Sequence, residues 1–213
     1  MMRVQVLAIF QRLVAELAQA DGLGNSHMLG TLLAPYGVEE ESMDELERRE
    51  NGAAEECRRE SLGRALGMIP SAIFVVTTAR DSVRSAYVGS WIQQAAFEPP
   101  SITVAMNQQR PLLTLLEPGR GIAVNILGRR QGPLYARFER GFSLDEDPFE
   151  GVEIDTAVTG APILREAFAY LDCRIRTMVD AGDHMVILAE VLAGTVKQSG
   201  EPMTYTRRSG FTY

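Results

Sequence analysis

A chain of 213 residues, 46% hydrophobic and 23% charged, can bury one substantial core and has the charge density of an ordinary globular protein. Its formal net charge of −7 argues against nucleic acid or an anionic membrane as the main partner. Cys57 and Cys173 stand far apart and there are only two histidines, so no metal site is expected.

The N-terminal stretch VQVLAIF resembles the core of an export signal, and Ala18-Gln19-Ala20 resembles a cleavage site. Yet Gln5, Gln11, Arg12 and Glu16 interrupt it. Val6, Phe10, Leu13 and Leu17 recur at helical spacing with Arg3, Arg12 and Glu16 off that stripe, which predicts an amphipathic helix instead. No later run approaches the ~20 apolar residues of a membrane span, and the expected location is the cytoplasm. His27 falls in a glycine-containing break, DGLGNSHMLG, and reads as a loop residue. A charged helix follows over 42–66, with Ser42 and Glu45 forming a capping box. Gly52 weakens its middle by about 1 kcal/mol relative to alanine. The helical pair carries too little apolar surface to fold alone, so residues 1–64 read as an arm on a domain spanning 65–213.

From there the signal is strand-like. SAIFVVTT (71–78) is rich in β-branched residues, and the turn ARDS leads to a second strand through Val83 and Tyr87. SITVAMN (101–107) and GIAVNIL (121–127) are further short strands, each preceded by proline or glycine, and PLLTLL and GPLYARFER predict short helices between elements. In YLDCRIRTMVD, Leu171, Cys173, Ile175, Thr177 and Val179 alternate with Asp172, Arg174 and Arg176, predicting a strand with one wet face. The turn DAGD then returns the chain into an apolar strand beginning at His184. Short helices among antiparallel strands predict a compact β-barrel, not a parallel nucleotide-binding sheet, and no G-x-G-x-x-G follows any strand.

The sequence holds no G-x-S-x-G, H-E-x-x-H or Walker loop. Asp145 and Glu146 sit in a charged loop and read as solvated surface. Any reaction is therefore expected to be carried by a cofactor that the protein positions.

SAYVGSWIQQAAFEPPSITVAMN (85–107), then GIAVNILG, GAPIL, YLDCRI and AGDH in that order, resembles the flavin reductase-like, FMN-binding split-barrel family. The Ser90-Trp91 pair and the terminal RRSGFTY bring it nearest to the flavin reductase domain of cyanobacterial-type flavodiiron proteins. The resemblance covers about residues 65 to 213. It implies a mainly β fold with short helices, an antiparallel split barrel, and FMN (or FAD) bound near a homodimer interface. By position, Val88, Gly89, Ser90 and Trp91 would run beside the isoalloxazine, with Gln93, Gln94 and Ala95 at its pyrimidine edge. Asn107, Gln109 and Arg110 would surround the ribityl chain and phosphate. Asp183 and His184 would meet NAD(P)H as electron donor. Relatives often carry Thr and Ser where Val88 and Gly89 stand, so backbone contacts must do more here. Each residue also has a plainer reading: Trp91 as a core aromatic, Asn125 as a partner for buried backbone, Arg110 as surface, His184 as a strand start. The resemblance implies an NAD(P)H-dependent flavin reductase passing electrons to an acceptor, which could be a protein. The alternative is a non-catalytic FMN-binding or electron-transfer module whose arm recruits another protein.

Overall fold

The computed structural model describes residues 43–212. The predicted amphipathic helix, His27 and Ser42 lie outside the described residues. The chain divides into two units, Met1–Arg59 and Glu60–Tyr213. The charged helix forms as α1, Met43–Gly67. Asn51 to Leu62 are exposed along it, as expected of a helix with little apolar surface. Its last turn is closely packed. There Gly210 donates its N–H to the Gly63 carbonyl at 2.6 Å and Arg207 donates to the Gly67 carbonyl at 3.0 Å. Side chains are excluded from this contact, since a Cβ on Gly67 would stand 2.5 Å from the Arg207 carbonyl oxygen.

The rest is mainly β. The strands are β1 (Ser71–Ala72), β2 (Phe74–Arg80), β3 (Val83–Gly89), β4 (Ile92–Phe97), β5 (Pro100–Asn107) and β6 (Gly121–Ile126). They continue as β7 (Ile154–Asp155), β8 (Ile163–Leu164), β9 (Ala169–Asp180), β10 (His184–Val196) and β11 (Thr204–Tyr205). As predicted, residues 111–115 form a short 3-10 turn and Gly132–Glu139 a short helix, α2. Seven strands make one sheet in the order β3-β2-β6-β9-β10-β5-β4, with every pair antiparallel. β4 has no counterpart among the predicted strands, because Ile92-Gln93-Gln94-Ala95-Ala96-Phe97 lacks β-branched density beyond its first residue.

The sheet must curl. Laid flat, its two edges would stand roughly 29 Å apart at about 4.8 Å per strand step. The edge strands β3 and β4 are joined by Ser90 and Trp91 alone, a link reaching about 11 Å. One apolar core fills the inside, with side chains from all seven strands, among them Val76, Tyr87, Ile92, Val104, Ile122, Ile175 and Ile187. β2 is buried on both faces: Phe74 and Val76 point into this core, and Val75 into a second cluster under α2 with Phe138, Phe142 and Phe149.

The predicted alternation along β9 holds only for its first half. The pairing with β10 shifts register between Ile175 and Thr177, leaving Arg176 as an extra residue. That bulge reverses the parity, so Met178 packs on the core while Thr177 and Val179 are exposed. Asp172 also departs from the wet face: it is fully buried and accepts from the Thr159 N–H at 2.8 Å and from the Thr159 hydroxyl. Cys173 lies in the inner core, where burial pushes its thiol up to about 12, while Cys57 is exposed.

Candidate functional site

The end of β3, the end of β5 and the start of β10 meet at one end of the sheet, because His184 pairs with Asn107 and Ser90-Trp91 lead straight into β4. Beside them α2 and β11 leave a cleft of about 460 Å³, within the usual range for small-molecule sites. Val88, Gly89, Ser90, Trp91, Asn107 and Arg110 all line it. Gln93, Gln94 and Ala95 do not: they are exposed along β4, outside the cleft. Gln109 is exposed in the turn after β5, and its backbone N–H donates to Asn107 Oδ1 at 2.9 Å.

The Trp91 ring lies against the His184 imidazole, at 4.7 Å between centroids, and the Arg207 guanidinium, at 4.8 Å. His184 is 6% exposed and reaches the cleft through Trp91 rather than lining it. Its Nδ1 lies 2.8 Å from the Asp183 carboxylate, and this hydrogen bond holds Asp183 below the usual carboxylate range. Arg110 lies over the Tyr87 ring at 6.0 Å.

Several site residues were missed by the sequence reading. Gln108 pins the β9–β10 turn: its backbone N–H donates to the Asp183 carbonyl at 3.0 Å and its side-chain amide to the Gly182 carbonyl at 2.7 Å. That clasp places Asp183 and His184 beside the end of β5. Tyr135 and Glu139 of α2 line the cleft four residues apart on one helical face, a spacing visible in the sequence but not read as a site. The Tyr135 hydroxyl donates to Glu139 at 2.5 Å, and this hydrogen bond, with desolvation, pushes the phenol up to about 12. Met203 and Tyr205 close another wall, and no local pattern announced them.

Asn125 resolves to the plainer reading. It is fully buried, donates to the Val75 carbonyl at 3.1 Å and accepts from the Leu164 N–H at 2.8 Å.

The donor set suits an aromatic heterocycle with an anionic tail. Trp91, Val88, Met203 and Tyr205 supply flat and apolar walls. Among the described strands β3 is a sheet edge, so its outer backbone groups have no ladder partner there. Gly89 leaves room for the Tyr87 ring, since a Cβ there would stand 3.0 Å from the Tyr87 hydroxyl. Arg110 offers a guanidinium at the far side.

Comparison with known proteins matches the flavin reductase-like domain over residues 66–212. The chain belongs to the flavin reductase-like family. It is 34% identical over 155 residues to diflavin flavoprotein A 1 of Synechocystis sp., covering 71% of this chain and 27% of that protein. The chain thus spans little more than a quarter, 28% and 27%, of two curated relatives it matches. Among solved structures it resembles the NADH:FAD oxidoreductase SgcE6 of Streptomyces globisporus, with a TM-score of 0.61 and 25% identity over 67% of this chain and 85% of that one. The styrene monooxygenase flavin reductase of Pseudomonas putida shares the fold, with a TM-score of 0.58 and 22% identity over 67% of this chain and 90% of that one. Among the described residues no helix is long and apolar enough to cross a membrane, and no cluster of three metal-ligating side chains occurs.

Proposed function

We propose that this chain is an NAD(P)H-dependent flavin reductase on a split β-barrel, with FMN held in the cleft between β3, β5 and α2. The observation that carries this reading is the convergence of an aromatic wall at Trp91, an unpaired strand edge at Val88–Ser90 and a guanidinium at Arg110 on one cleft. A flavin bound there would take hydride from NAD(P)H at N5 and pass electrons to an acceptor. The protein's part is placement: backbone groups of the β3 edge meet the polar rim of the ring, Trp91 excludes water from it, and Arg110 holds the phosphate. Asp183 and His184, fixed by Gln108, present a polar turn to the nicotinamide nucleotide. The same proposal treats residues 1–64 as an accessory arm on a domain of 65–213. It also takes the protein as a cytoplasmic homodimer.

A second reading is favoured by one observation: the curated relatives are several times longer than the matched region. In it the domain keeps its flavin and passes electrons to a protein partner.

Titrating FMN and riboflavin into wild type and Arg110→Ala tests the placement. Loss of a charge-assisted phosphate contact should cost FMN roughly 1.5–3 kcal/mol and leave riboflavin unchanged. Equal weakening of both ligands would remove Arg110 from the phosphate. Anaerobic NADH or NADPH should bleach the bound flavin; a yellow protein that neither nucleotide bleaches would favour the electron-transfer module.

A further inference from the structure

The C-terminal segment is held by two anchors. Up to Tyr205 the sheet holds it: Met203 donates its N–H to the Leu127 carbonyl at 2.7 Å and accepts from the Ile73 N–H at 2.9 Å, and Tyr205 pairs with Ser71. These bonds place Met203 and Tyr205 in the cleft wall. Two residues on, the anchor changes. Arg207 donates its N–H to the carbonyl of Gly67, the last residue of α1, and Gly210 donates to that of Gly63. From that second anchor the Arg207 guanidinium reaches the Trp91 ring, 4.8 Å from its centroid.

Among the described residues this guanidinium meets no carboxylate within 4.0 Å, and its buried Nε has no hydrogen-bond partner. A guanidinium so placed finds its favourable neighbour in an aromatic face. Trp91 lines the cleft, whereas Arg207 stands outside it. The backbone behind Arg207 leaves no slack. A Cβ on Gly67 would stand 2.5 Å from the Arg207 carbonyl oxygen and 3.2 Å from the Ser209 nitrogen, both main-chain atoms that cannot swing aside. Gly63 is more tolerant, because a Cβ there would meet side-chain atoms, the Ser209 hydroxyl at 2.9 Å and the Phe211 ring at 3.0 Å.

We propose that Arg207 is a positioning residue: anchored by the end of α1, it holds the Trp91 indole in place as a wall of the cleft. The consequence for a bound group rests on the flavin occupying that cleft, while the restraint on the indole does not. His184 lies against the same ring, so removing Arg207 releases the indole in part.

Trp91 is the only tryptophan of the chain, so its emission reports on the restraint directly. In the full chain without flavin, Arg207→Gln should raise acrylamide quenching of Trp91 about three-fold and lower its anisotropy, as expected when one cation–π contact is lost. Arg207→Lys should restore part of the restraint, since an ammonium keeps the attraction without the planar stack. Gly67→Ala should loosen Trp91 as well, and adding it to Arg207→Gln should change the emission no further, because both cut one path. Where Gly67→Ala does not fold, Gly63→Ala presses on the same segment and should shift Trp91 the same way. With FMN bound, stopped-flow should show faster release from Arg207→Gln by a similar factor. Unchanged quenching and anisotropy in Arg207→Gln would overturn the proposal. A folded glycine variant that leaves Trp91 unchanged, or whose effect adds in full to that of Arg207→Gln, would overturn the anchoring by α1. A loosened indole with FMN affinity and release both unchanged would overturn the role at the cleft. No saturable FMN binding to the parent protein would remove the flavin reading, and the Trp91 signature would still decide whether Arg207 positions the indole.

Discussion

The sheet has two edges, and they are treated in opposite ways. β3 is overlaid by α2, the 110–116 segment and the loop through Phe149, and the gap left under that cover is the cleft. Among the described residues nothing covers β4, and it carries no charge; Gln93, Gln94 and Ala95 are exposed along it and Phe97 is 87% exposed. An unpaired strand edge offers backbone donors and acceptors to whatever arrives. Roofing one edge turns that liability into a selective cleft, because only a ligand shaped to the gap can reach it. The bare edge has no such filter.

The contrast is sharpest between two phenylalanines. Phe138 is fully buried in the roof, 5.8 Å from Phe142 and 6.1 Å from Phe149 between ring centroids. Phe138→Ala should destabilise the fold by about 3–5 kcal/mol, read by denaturant unfolding, and should weaken flavin binding as the roof loosens. Phe97→Ala should stay within about 0.5 kcal/mol. Comparable losses at the two positions would erase the distinction between the edges. If the bare edge joins two copies, Phe97→Lys should shift sedimentation from dimer to monomer with flavin affinity unchanged.

Asn125 ties β8 to the sheet, accepting from the Leu164 N–H and donating to the Val75 carbonyl. Asn125→Ala strands both buried groups and should cost about 1–3 kcal/mol, with the flavin spectrum little altered once the protein is folded. A large spectral change in a stable variant would bring Asn125 back into the site.

The smallest effect concerns Tyr135 in the roof. Its folded pKa is raised from 10.0 to about 12 by the hydrogen bond to Glu139, so the protonated phenol is the favoured form in the native state. Its contribution to stability is therefore complete below pH 10 and fades as pH climbs toward about 12. Tyr135→Phe should leave the phenolate absorbance rising near pH 10 unchanged and remove amplitude only near pH 12. Loss of amplitude near pH 10 would mean that the Glu139 bond does not persist in solution.

What was legible in the sequence follows from how far each signal reaches. β2, β5 and β6 were readable because burial on a strand demands β-branched and apolar residues within a short window. β4 was not, since a bare edge strand imposes no such demand on Gln93, Gln94 or Ala95. The second half of β9 was misread because a bulge at Arg176 is set by pairing with β10, which no local alternation encodes. The cleft residues on the β3–β4 link came from motif order, whereas Tyr135, Glu139, Met203 and Tyr205 reach the cleft only through tertiary packing. Gln108 was passed over between two residues assigned to ligand, though its own partners are the Gly182 and Asp183 carbonyls.

The short link between the two edges also bears on how a ligand comes and goes. With only Ser90 and Trp91 between β3 and β4, the seam is tethered at the mouth of the cleft and cannot part there by more than the reach of that link. Strand separation, a slow collective motion, is thus removed as a route of entry. What remains is rotation of side chains at the rim, Trp91 foremost, on a picosecond-to-nanosecond scale when unhindered. Trp91 is hindered, with His184 and Arg207 both against its ring. A ligand entering there would pass a single indole braced by an imidazole and a guanidinium, not a breathing sheet.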